Sequence, residues 1–283
     1  MDIFSFWDSG RQNAPAAVQT CLSRWEEMNP EHRLVVLDAR DMADLLSDMP
    51  FDINLLPVQA RSDILRVRLL RQHGGAWVDA TLLPLLPLDR YADVYAGKTG
   101  FFTFAGPPSH WRLGSFFLIA HPGNAFIRAL DDAIRDYWTH PRQLYDLRIR
   151  PTWPPGRKLT IKALLTKGMG KGYLDFFTRW QADLLYPVSP SGRQSAYFPY
   201  FWKHYLMMQL METDPKARAI IEAMPYRHHD LCHMVQNARE HFGSDFVKTV
   251  PMALRCSPVQ KLDWRVDWPP EVFDTPPAES ILI

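Results

Sequence analysis

Residues 60–89 read ARSDILRVRLLRQHGGAWVDATLLPLLPLD, and this stretch decides the fold of the first half of the chain. Apolar side chains are spread over the surface of residues 58–73, a spacing that predicts a helix. Gly74 and Gly75 then end the helix, because glycine readily adopts the backbone conformations found at helix C-termini. The apolar run at 76–78 that follows fits a short buried strand. The stretch therefore predicts a helix, a tight turn and a strand in immediate succession.

The same alternation extends over the first 140 residues. Short apolar runs predict further strands, and longer periodic segments predict further helices. The strands are expected at 2–7, 33–37, 100–104 and 115–120, and the helices at 13–28, 41–46 and 124–138. Strands that alternate with helices are typical of an α/β fold with a mostly parallel, Rossmann-type sheet and flanking helices. We therefore predict an α/β core over residues 1–140.

The second half of the chain has a different character. Pro and Gly breakers over 141–195 predict loops, either over a site or forming a mobile lid. Helical spacing returns from about Tyr197, and the tail after Pro251 is expected to be extended. We treat 1–283 as a single domain in which 141–283 is a loop-rich and helical region attached to the α/β core.

Composition limits the class of protein. The chain has 283 residues, 47% hydrophobic and 22% charged, as in a soluble globular enzyme. A net charge of +1 argues against a nucleic-acid-binding protein, which would be strongly basic. The cysteines are few, widely spaced and odd in number, which argues against a disulfide framework and favours a reducing cytoplasm. We see no signal peptide and no apolar run of about 18 residues, while an aromatic content of 13% leaves association with a membrane surface open.

Three charged residues of the opening stretch are candidates for ligand binding. Asp79 directly follows a strand, and open α/β sheets bind ligands at the carboxyl ends of their strands. Taken alone, such a residue is as often the cap of the next turn. Asp63 and Arg66 share a helix face. Most pairs of this kind are surface ion pairs, but the apolar surroundings here place the pair at the edge of a cleft, where it can bind hydroxyls or phosphate.

The combination of these residues is more specific than its parts. Ser62-Asp63-x-x-Arg66 followed by Gly74-Gly75-x-Trp77-x-Asp79 resembles the nucleotide-sugar core of GT-A glycosyltransferases, and in particular the capsular polysaccharide synthesis protein family, which is related to glycosyltransferase family 32. The resemblance covers most of the chain. It extends to FWDSG around Trp7, CLSRWEEMNPEHRLVVLD, FFLIAHPGNAFIRALDDAIRDYW, YFPYFWKHYLMMQLMETDP and SPVQKLDW.

The resemblance implies a GT-A-like fold and a role for each matching residue. Asp79 would be the first acid of a DXD-like motif, a catalytic residue that touches ribose or a metal ion. Donor binding would fall to Trp7, which would stack on the nucleotide base, to Asp63 and Arg66 at ribose and donor sugar, and to Gly75. The family resemblance also implies Mn²⁺ or Mg²⁺ as cofactor, bridging the acids and the diphosphate as a Lewis acid.

Position 81 departs from the wider DXD pattern, since Thr81 stands where a second acid is expected. A neutral hydroxyl is a weak ligand for a divalent ion. Either Asp79 holds the metal together with the diphosphate and water, or another residue supplies the positive charge. Lys261 is a candidate for that role, although a surface lysine is the more common finding. His229 and His233, spaced i and i+4, are weaker candidate metal ligands, and surface histidines on a helix explain them more simply because no zinc motif is present.

The implied partners are a nucleoside diphosphate-sugar donor and a saccharide or lipid-linked glycan acceptor, with residues 141–283 on the acceptor side. Transfer with retention follows from the same resemblance, whereas the cytoplasmic location rests on the few cysteines, and a position at the inner face of the membrane is left open. A glycosidase is disfavoured because Arg66 favours the ionised form of Asp63, which makes it a poor general acid. The alternative is a nucleotide-sugar-binding or scaffold protein of the same fold that has lost the metal-binding acid and with it catalysis.

Overall fold

A five-stranded sheet in the order β2-β1-β3-β6-β5 forms the centre of the molecule. The computed structural model describes residues 1–106, 113–145 and 171–274. The strands in this part of the chain are β1 (Asp2–Phe6), β2 (Arg33–Leu37), β3 (Gly75–Val78), β4 (Leu82–Pro84), β5 (Phe101–Ala105), β6 (Leu113–Ala120), β7 (Gln143–Tyr145), β8 (Tyr197–Pro199) and β9 (Val259–Lys261). Two small two-stranded sheets, β4-β9 and β7-β8, complete the strand pairing of this part of the chain.

Four of the five central strands point in the same direction. β1 is parallel to both β2 and β3, with Phe4 opposite Val35 and Trp77. β6 runs antiparallel to β3 and to β5, so that β5 again follows the direction of β3. The predicted α/β class with a mostly parallel sheet is confirmed, with β6 as the one reversed strand of the central sheet.

Helices cover the sheet and make up most of the second half of the described chain. They are α1 (Ala16–Met28), α2 (Ala39–Leu45), α3 (Val58–His73), α4 (Ala92–Ala96), α5 (Ala125–Tyr137), α6 (Lys171–Ala182), α7 (Pro190–Arg193), α8 (Trp202–Thr213), α9 (Pro215–Ala223), α10 (Met234–Phe242), α11 (Val250–Ala253) and α12 (Pro270–Asp274). Helix α3 has the bounds that its apolar spacing predicts. Residues 64–70 of α3 are all buried, which explains why its apolar surface is broad rather than a single stripe.

The turn between α3 and β3 depends on two glycines. Gly74 has a φ of 67° and Gly75 a φ of 99°, a region that side-chain-bearing residues rarely adopt. A Cβ atom on Gly74 would lie 2.6 Å from the backbone nitrogen of Pro122, and one on Gly75 would lie 2.4 Å from the carbonyl oxygen of Asp2. The glycine pair therefore lets β3 enter the sheet directly after the helix.

Helices α3 and α5 are joined by a buried ionic network. The carboxylate of Asp131 is fully buried and accepts from Nε of Arg68 at 3.2 Å and from Nη1 of Arg71 at 3.1 Å. Nε of Arg135, one turn along α5, lies 3.4 Å from the same carboxylate. Three guanidinium groups thus compensate one buried charge, which would otherwise be costly to remove from water.

The C-terminal region returns to the core through β4 and β9. These strands pair antiparallel, with Leu82 opposite Lys261 and Pro84 opposite Val259. This pairing brings Lys261 next to the chain that leaves β3. The main hydrophobic core also contains Trp202 and Leu206 of α8 beside residues of the sheet. The division into 1–140 and 141–283 stays a prediction, although both parts contribute to this core.

Several expectations for the second half differ from the structure. Helix α6 occupies Lys171–Ala182, where breakers predicted loops, while 146–170 lie outside the described residues. The segment after Pro251 is not simply extended, because it contains β9 and α12. Residues 229–233 form a 3₁₀ helix before α10 rather than part of one long α-helix. Of the helices in the described ranges, none has the length and apolarity to cross a membrane.

Candidate functional site

A cavity of about 850 Å³ opens at the carboxyl ends of β1 and β3. Trp7 follows β1 directly, and Asp79 follows β3 directly. Because the two strands are parallel neighbours, the residues after them meet at one edge of the sheet. The cavity is lined by seven of the eight site residues predicted from the sequence: Trp7, Asp63, Arg66, Asp79, His229, His233 and Lys261.

Asp79 is held from several sides. Its Oδ1 accepts a hydrogen bond from Nε1 of Trp77 at 2.9 Å and lies 3.5 Å from Nη1 of Arg66. Its Oδ2 accepts from Nζ of Lys261 at 2.7 Å. Burial raises the pKa of Asp79, but the charges of Lys261 and Arg66 and the hydrogen bonds to the carboxylate outweigh it and lower the pKa to about 2. Asp79 is therefore a fixed, ionised hydrogen-bond acceptor and not a proton donor near neutral pH.

Arg66 is committed to the protein. Its Nε donates to the carbonyl of Ser62 at 3.2 Å and its Nη2 to the hydroxyl of Ser62 at 3.1 Å. Its Nη1 donates to the carbonyl of Ser115 on β6. Asp79 and Asp63 are its ion-pair partners at 3.5 Å and 3.3 Å, so that all three nitrogens of the guanidinium have acceptors of the protein nearby. Arg66 thus ties α3 to the ends of β3 and β6, and its predicted contact with the donor stays untested.

Asp63 has a second partner that sequence reasoning missed. Nζ of Lys203, on α8, donates a hydrogen bond to Oδ1 of Asp63. The Lys203 side chain is fully buried. Burial and the neighbouring charge of Arg66 lower the pKa of Lys203 to about 7, against the opposing effect of Asp63. The sequence did carry a signal for this partner, namely a single lysine within the largely apolar run YFPYFWKHYLMM. A lysine that is buried there needs an acidic partner.

Lys261 lies between Asp79 and Thr81. Its Nζ donates to Oδ2 of Asp79 and to Oγ1 of Thr81, both at 2.7 Å. Thr81 is buried, and its carbonyl accepts from the backbone N–H of Leu262. The antiparallel β4-β9 pairing sets this position, since it places Lys261 opposite Leu82. The residue at position 81 therefore binds an ammonium group.

Two tryptophans form an aromatic wall of the cavity. The rings of Trp7 and Trp264 meet edge to face, with centroids 5.6 Å apart. The Trp264 side chain is 38% exposed, although the hydrophobic core of the protein is large enough to bury tryptophan side chains. Trp264 was missed as a site residue, and its place three positions after Lys261 in KLDW was the signal for it. An exposed indole beside a cavity suits the face of a planar ring.

The histidines border the cavity but do not converge with Asp79. Nδ1 of His233 donates to the carbonyl of His229 at 2.9 Å, and burial lowers the pKa of His233, which keeps it neutral near pH 7. Among the described residues, the group of three potential metal ligands within 4.8 Å of one another is His228, His229 and Asp230. The predicted pairing of His229 with His233 on one metal stays untested.

Gly75 is the predicted donor-binding residue that lies elsewhere. It begins β3, whereas Asp79 follows the other end of the strand, and it does not belong to the cavity lining. Its positive φ and its close approach to Asp2 give it a structural role in the turn. Donor binding by Gly75 stays a prediction that this placement does not support.

The residues around Asp79 do not fit a DXD-type Mn²⁺ or Mg²⁺ site. Both carboxylate oxygens already accept hydrogen bonds, one from Trp77 and one from an ammonium. Lys261 occupies the space between the side chains of Asp79 and Thr81, and a divalent cation there would be repelled by it. In the described ranges, no group of three potential ligands includes Asp79. The predicted metal ion remains untested, and these contacts do not favour it.

The arrangement can bind an anionic, hydroxyl-bearing ligand with a planar ring. The carboxylates of Asp63 and Asp79 accept hydrogen bonds from hydroxyls. Lys261 offers a positive charge close to them. Tyr200, Phe201 and Tyr205 line the cavity as well, and Phe201 is 53% exposed. The first half of the chain and Lys261 thus provide charged and aromatic residues of the cavity lining. Helix α8 and the residues before it provide further aromatic residues.

The chain has only distant likenesses among the solved structures described below. No curated protein matches the chain. Among solved structures, the PaToxG glycosyltransferase matches with 14% identity and a TM-score of 0.36 over 69% of this chain and 77% of that one. The ligand-free glycosyltransferase domain from the YGT toxin matches with 11% identity and a TM-score of 0.39 over 96% of this chain and 92% of that one. Likenesses at these scores carry no argument about activity.

A family model gives the firmer result. The model described as capsular polysaccharide synthesis protein matches residues 1–147, which is more than half of the chain. The matched part holds Trp7, Asp63, Arg66 and Asp79, whereas Lys261 lies outside it. The resemblance noted from the sequence is confirmed for this family, and the relation to glycosyltransferase family 32 stays a prediction. The chain belongs to the capsular polysaccharide synthesis protein family.

Proposed function

We propose that this protein is a glycosyltransferase that moves a sugar from a nucleoside diphosphate-sugar donor to a saccharide or lipid-linked glycan acceptor in the synthesis of a surface polysaccharide. The observation that carries the proposal is the position of Asp79. It follows β3 at the sheet edge where α/β folds bind ligands, and it is held ionised in a cavity that is also lined by Lys261, Trp7 and Trp264.

Each part of a donor has a suitable partner in the cavity. The nucleotide base would stack on Trp7 or Trp264, which offer ring faces and edges at the wall. Ribose and sugar hydroxyls would donate to Asp63 and Asp79. The diphosphate would lie near the ammonium of Lys261, which would stabilise the negative charge that develops on the leaving group.

Exposed apolar residues of the cavity lining suit the acceptor. Tyr200, Phe201 and Leu184 line the cavity and are 42%, 53% and 54% exposed. Aromatic side chains pack well against the apolar faces of sugar rings, and an exposed apolar rim is also suited to a lipid carrier. Transfer of a hexose, retention of configuration and work at the inner face of the membrane rest on the family resemblance alone.

A thermal-shift screen tests the proposal. The protein is heated with UDP-, GDP-, ADP-, CDP- and dTDP-sugars, each with Mn²⁺ and with chelator, because a ligand that binds the folded state raises the melting temperature. We expect one nucleotide class to stabilise the protein and to be hydrolysed or transferred slowly. Asp79→Ala should abolish turnover.

The screen also separates the alternatives. Binding of a nucleotide-sugar without turnover on any acceptor would favour the non-catalytic binding or scaffold protein. Cleavage of a simple glycoside without any nucleotide would favour a glycosidase. Phe242→Ala is a suitable control for both, since Phe242 is 52% exposed and does not line the cavity.

A further inference from the structure

We propose that the ammonium of Lys261 takes the place of the divalent cation, so that this protein binds the diphosphate of its donor without a metal ion. The inference rests on the proposed function, since it concerns how the same cavity holds the donor. It starts from the side chains at the two positions of the DXD-like motif, Asp79 and Thr81. Both are bound to one cation, and that cation belongs to the protein.

The geometry of Lys261 fits this role. Its Nζ lies 2.7 Å from Oδ2 of Asp79 and 2.7 Å from Oγ1 of Thr81. An ammonium has three N–H donors, and these two contacts use two of them. Among residues 1–106, 113–145 and 171–274, no other acceptor lies within hydrogen-bonding distance of Nζ. The third N–H is thus left for a ligand in the cavity that Lys261 lines.

The hydroxyl side chain at position 81 favours the ammonium of Lys261 over a divalent ion between Asp79 and Thr81. A second carboxylate at 81 would attract a divalent ion, and oxygen-rich sites of that kind suit Mg²⁺ and Mn²⁺. A hydroxyl instead accepts one hydrogen bond without adding charge. One carboxylate and one ammonium then balance, whereas one carboxylate and a divalent ion leave an excess positive charge beside Lys261. The threonine at 81 and the lysine at 261 therefore complement each other.

Neither the other cations that line the cavity nor the neighbouring Lys203, which does not line it, can replace Lys261. The guanidinium of Arg66 directs its donors to Ser62, Asp63, Asp79 and Ser115. The ammonium of Lys203 is fully buried against Asp63. Arg265 lines the cavity, but its guanidinium is 62% exposed and lies 3.4 Å from Asp263. Of these four side chains, Lys261 combines partial burial, a fixed position and a free donor.

Removal of the lysine charge should change the site in a specific way. In Lys261→Met, Oδ2 of Asp79 and the hydroxyl of Thr81 lose their donor, so that the two positions become available to a divalent ion. The variant should therefore bind nucleotide poorly in chelator and respond to Mn²⁺, whereas the wild type should be indifferent to Mn²⁺. Lys261→Arg keeps the charge and the pair with Asp79, and should keep metal-free binding.

Titration of each variant with UDP, GDP, ADP, CDP and dTDP, in EDTA and in Mn²⁺, tests the inference by isothermal calorimetry. For the nucleotide that binds best, we expect wild-type affinity in EDTA and in Mn²⁺ to agree within about threefold. Lys261→Met should bind about 10- to 100-fold more weakly in EDTA, from the typical strength of a hydrogen bond to a charged group, and Mn²⁺ should restore part of the loss. Lys248→Met is the matched control, because Lys248 is 81% exposed and lies outside the cavity.

The results of this titration distinguish a failure of the metal-free binding from a failure of the proposed function. Wild-type binding that is lost in EDTA and restored by Mn²⁺ would overturn the inference and leave the proposed function standing. Equal affinities of Lys261→Met and wild type in EDTA would do the same. Failure of the wild type to bind any nucleotide under either condition would overturn the proposed function itself. Should Lys261→Met fail to fold, the comparison of wild type with Lys261→Arg in EDTA and Mn²⁺ still decides whether binding needs a metal.

Discussion

The ammonium of Lys203 on α8 donates a hydrogen bond to the carboxylate of Asp63 on α3, at a position where Lys203 is fully buried. Asp63 also lies 3.3 Å from Nη2 of Arg66, so two cations fix its orientation from two sides. Helix α8 lies outside the residues that match the family model, whereas α3 lies inside them. The second half of the chain therefore helps to set the geometry of a carboxylate in the candidate donor site.

Lys203→Met should destabilise the protein. Removal of one partner of a buried ion pair leaves the other charge uncompensated and typically costs about 3–5 kcal/mol. Since Arg66 still faces Asp63, and since the lowered pKa of Lys203, about 7, shows that the folded state disfavours its charged form, we expect a loss of less than about 3 kcal/mol, measured as the change in the free energy of unfolding in urea. Lys248→Met, at an exposed lysine, should change stability by less than about 0.5 kcal/mol. Equal stability of the two variants would contradict a structural role for the pair.

Lys203→Met also tests whether Asp63 contacts the sugar of the donor or its nucleotide. If Asp63 binds ribose or sugar hydroxyls and Lys203 only orients it, Lys203→Met should weaken binding of the nucleotide-sugar more than binding of the nucleoside diphosphate. Calorimetry with both ligands measures the difference. An equal loss for the two would indicate that the helix contact matters for the whole cavity and not for Asp63 in particular.

The ionised state of Asp79 predicts a pH dependence of stability. Its pKa in the folded protein is about 2, below the ordinary value of 3.8, so the carboxylate contributes stability above pH 3.8 that is lost as the pH falls toward 2. Linkage gives a loss of about 1 kcal/mol between about pH 6 and about pH 3. The free energy of unfolding of the wild type relative to Asp79→Asn should shrink by this amount on acidification. A difference that stays constant over this range would show that Asp79 is not stabilised by Lys261 and Arg66.

The aromatic wall predicts how the nucleotide base is held. Trp7→Ala and Trp264→Ala should each weaken nucleotide binding by about 5- to 100-fold, the range for the loss of one stacked aromatic side chain. Because the two rings touch, the losses in the double variant should not add. Phe242→Ala controls for the loss of an exposed aromatic residue away from the cavity. Unchanged affinity in either tryptophan variant would remove that residue from the site.

Local patterns in the sequence were enough to predict most elements of the first half, whereas β4 and α4 were not predicted. The bounds of β2 and α3 match the predicted ones, and β1 ends one residue earlier than predicted. Apolar periodicity and glycine breaks are properties of neighbouring residues, which is why they are visible without a structure. Asp79 could be placed at a cavity for the same reason, because the residue after a parallel strand always lies at the carboxyl edge of the sheet.

Partners that are distant in the sequence could not be predicted. Lys203 and Asp63 are 140 residues apart, and Lys261 and Asp79 are 182 residues apart. Their contacts depend on where α8 and β9 pack against the core. The pattern of neighbouring residues in the sequence does not predict this packing. Gly75 illustrates the limit of resemblance, which assigned it to donor binding although the length of β3 separates it from Asp79. Resemblance pointed to Lys261, but only the β4-β9 pairing shows that it binds Thr81.

The buried network around Asp131 provides a test of the scaffold apart from the site. Asp131→Asn removes the charge that Arg68, Arg71 and Arg135 share, while Asp131 and Arg68 are almost completely buried. We expect a loss of about 3 kcal/mol in the free energy of unfolding, because the buried guanidinium of Arg68 loses one of its two carboxylate partners and keeps only Asp48. Asp132→Asn is the matched control, since Asp132 is 64% exposed, and such surface pairs contribute at most about 1 kcal/mol. Nucleotide affinity below the unfolding transition should be unchanged in both variants, because none of these residues lines the cavity. A fall in affinity in folded Asp131→Asn would show instead that the α3-α5 contact controls the position of Asp63 and Arg66.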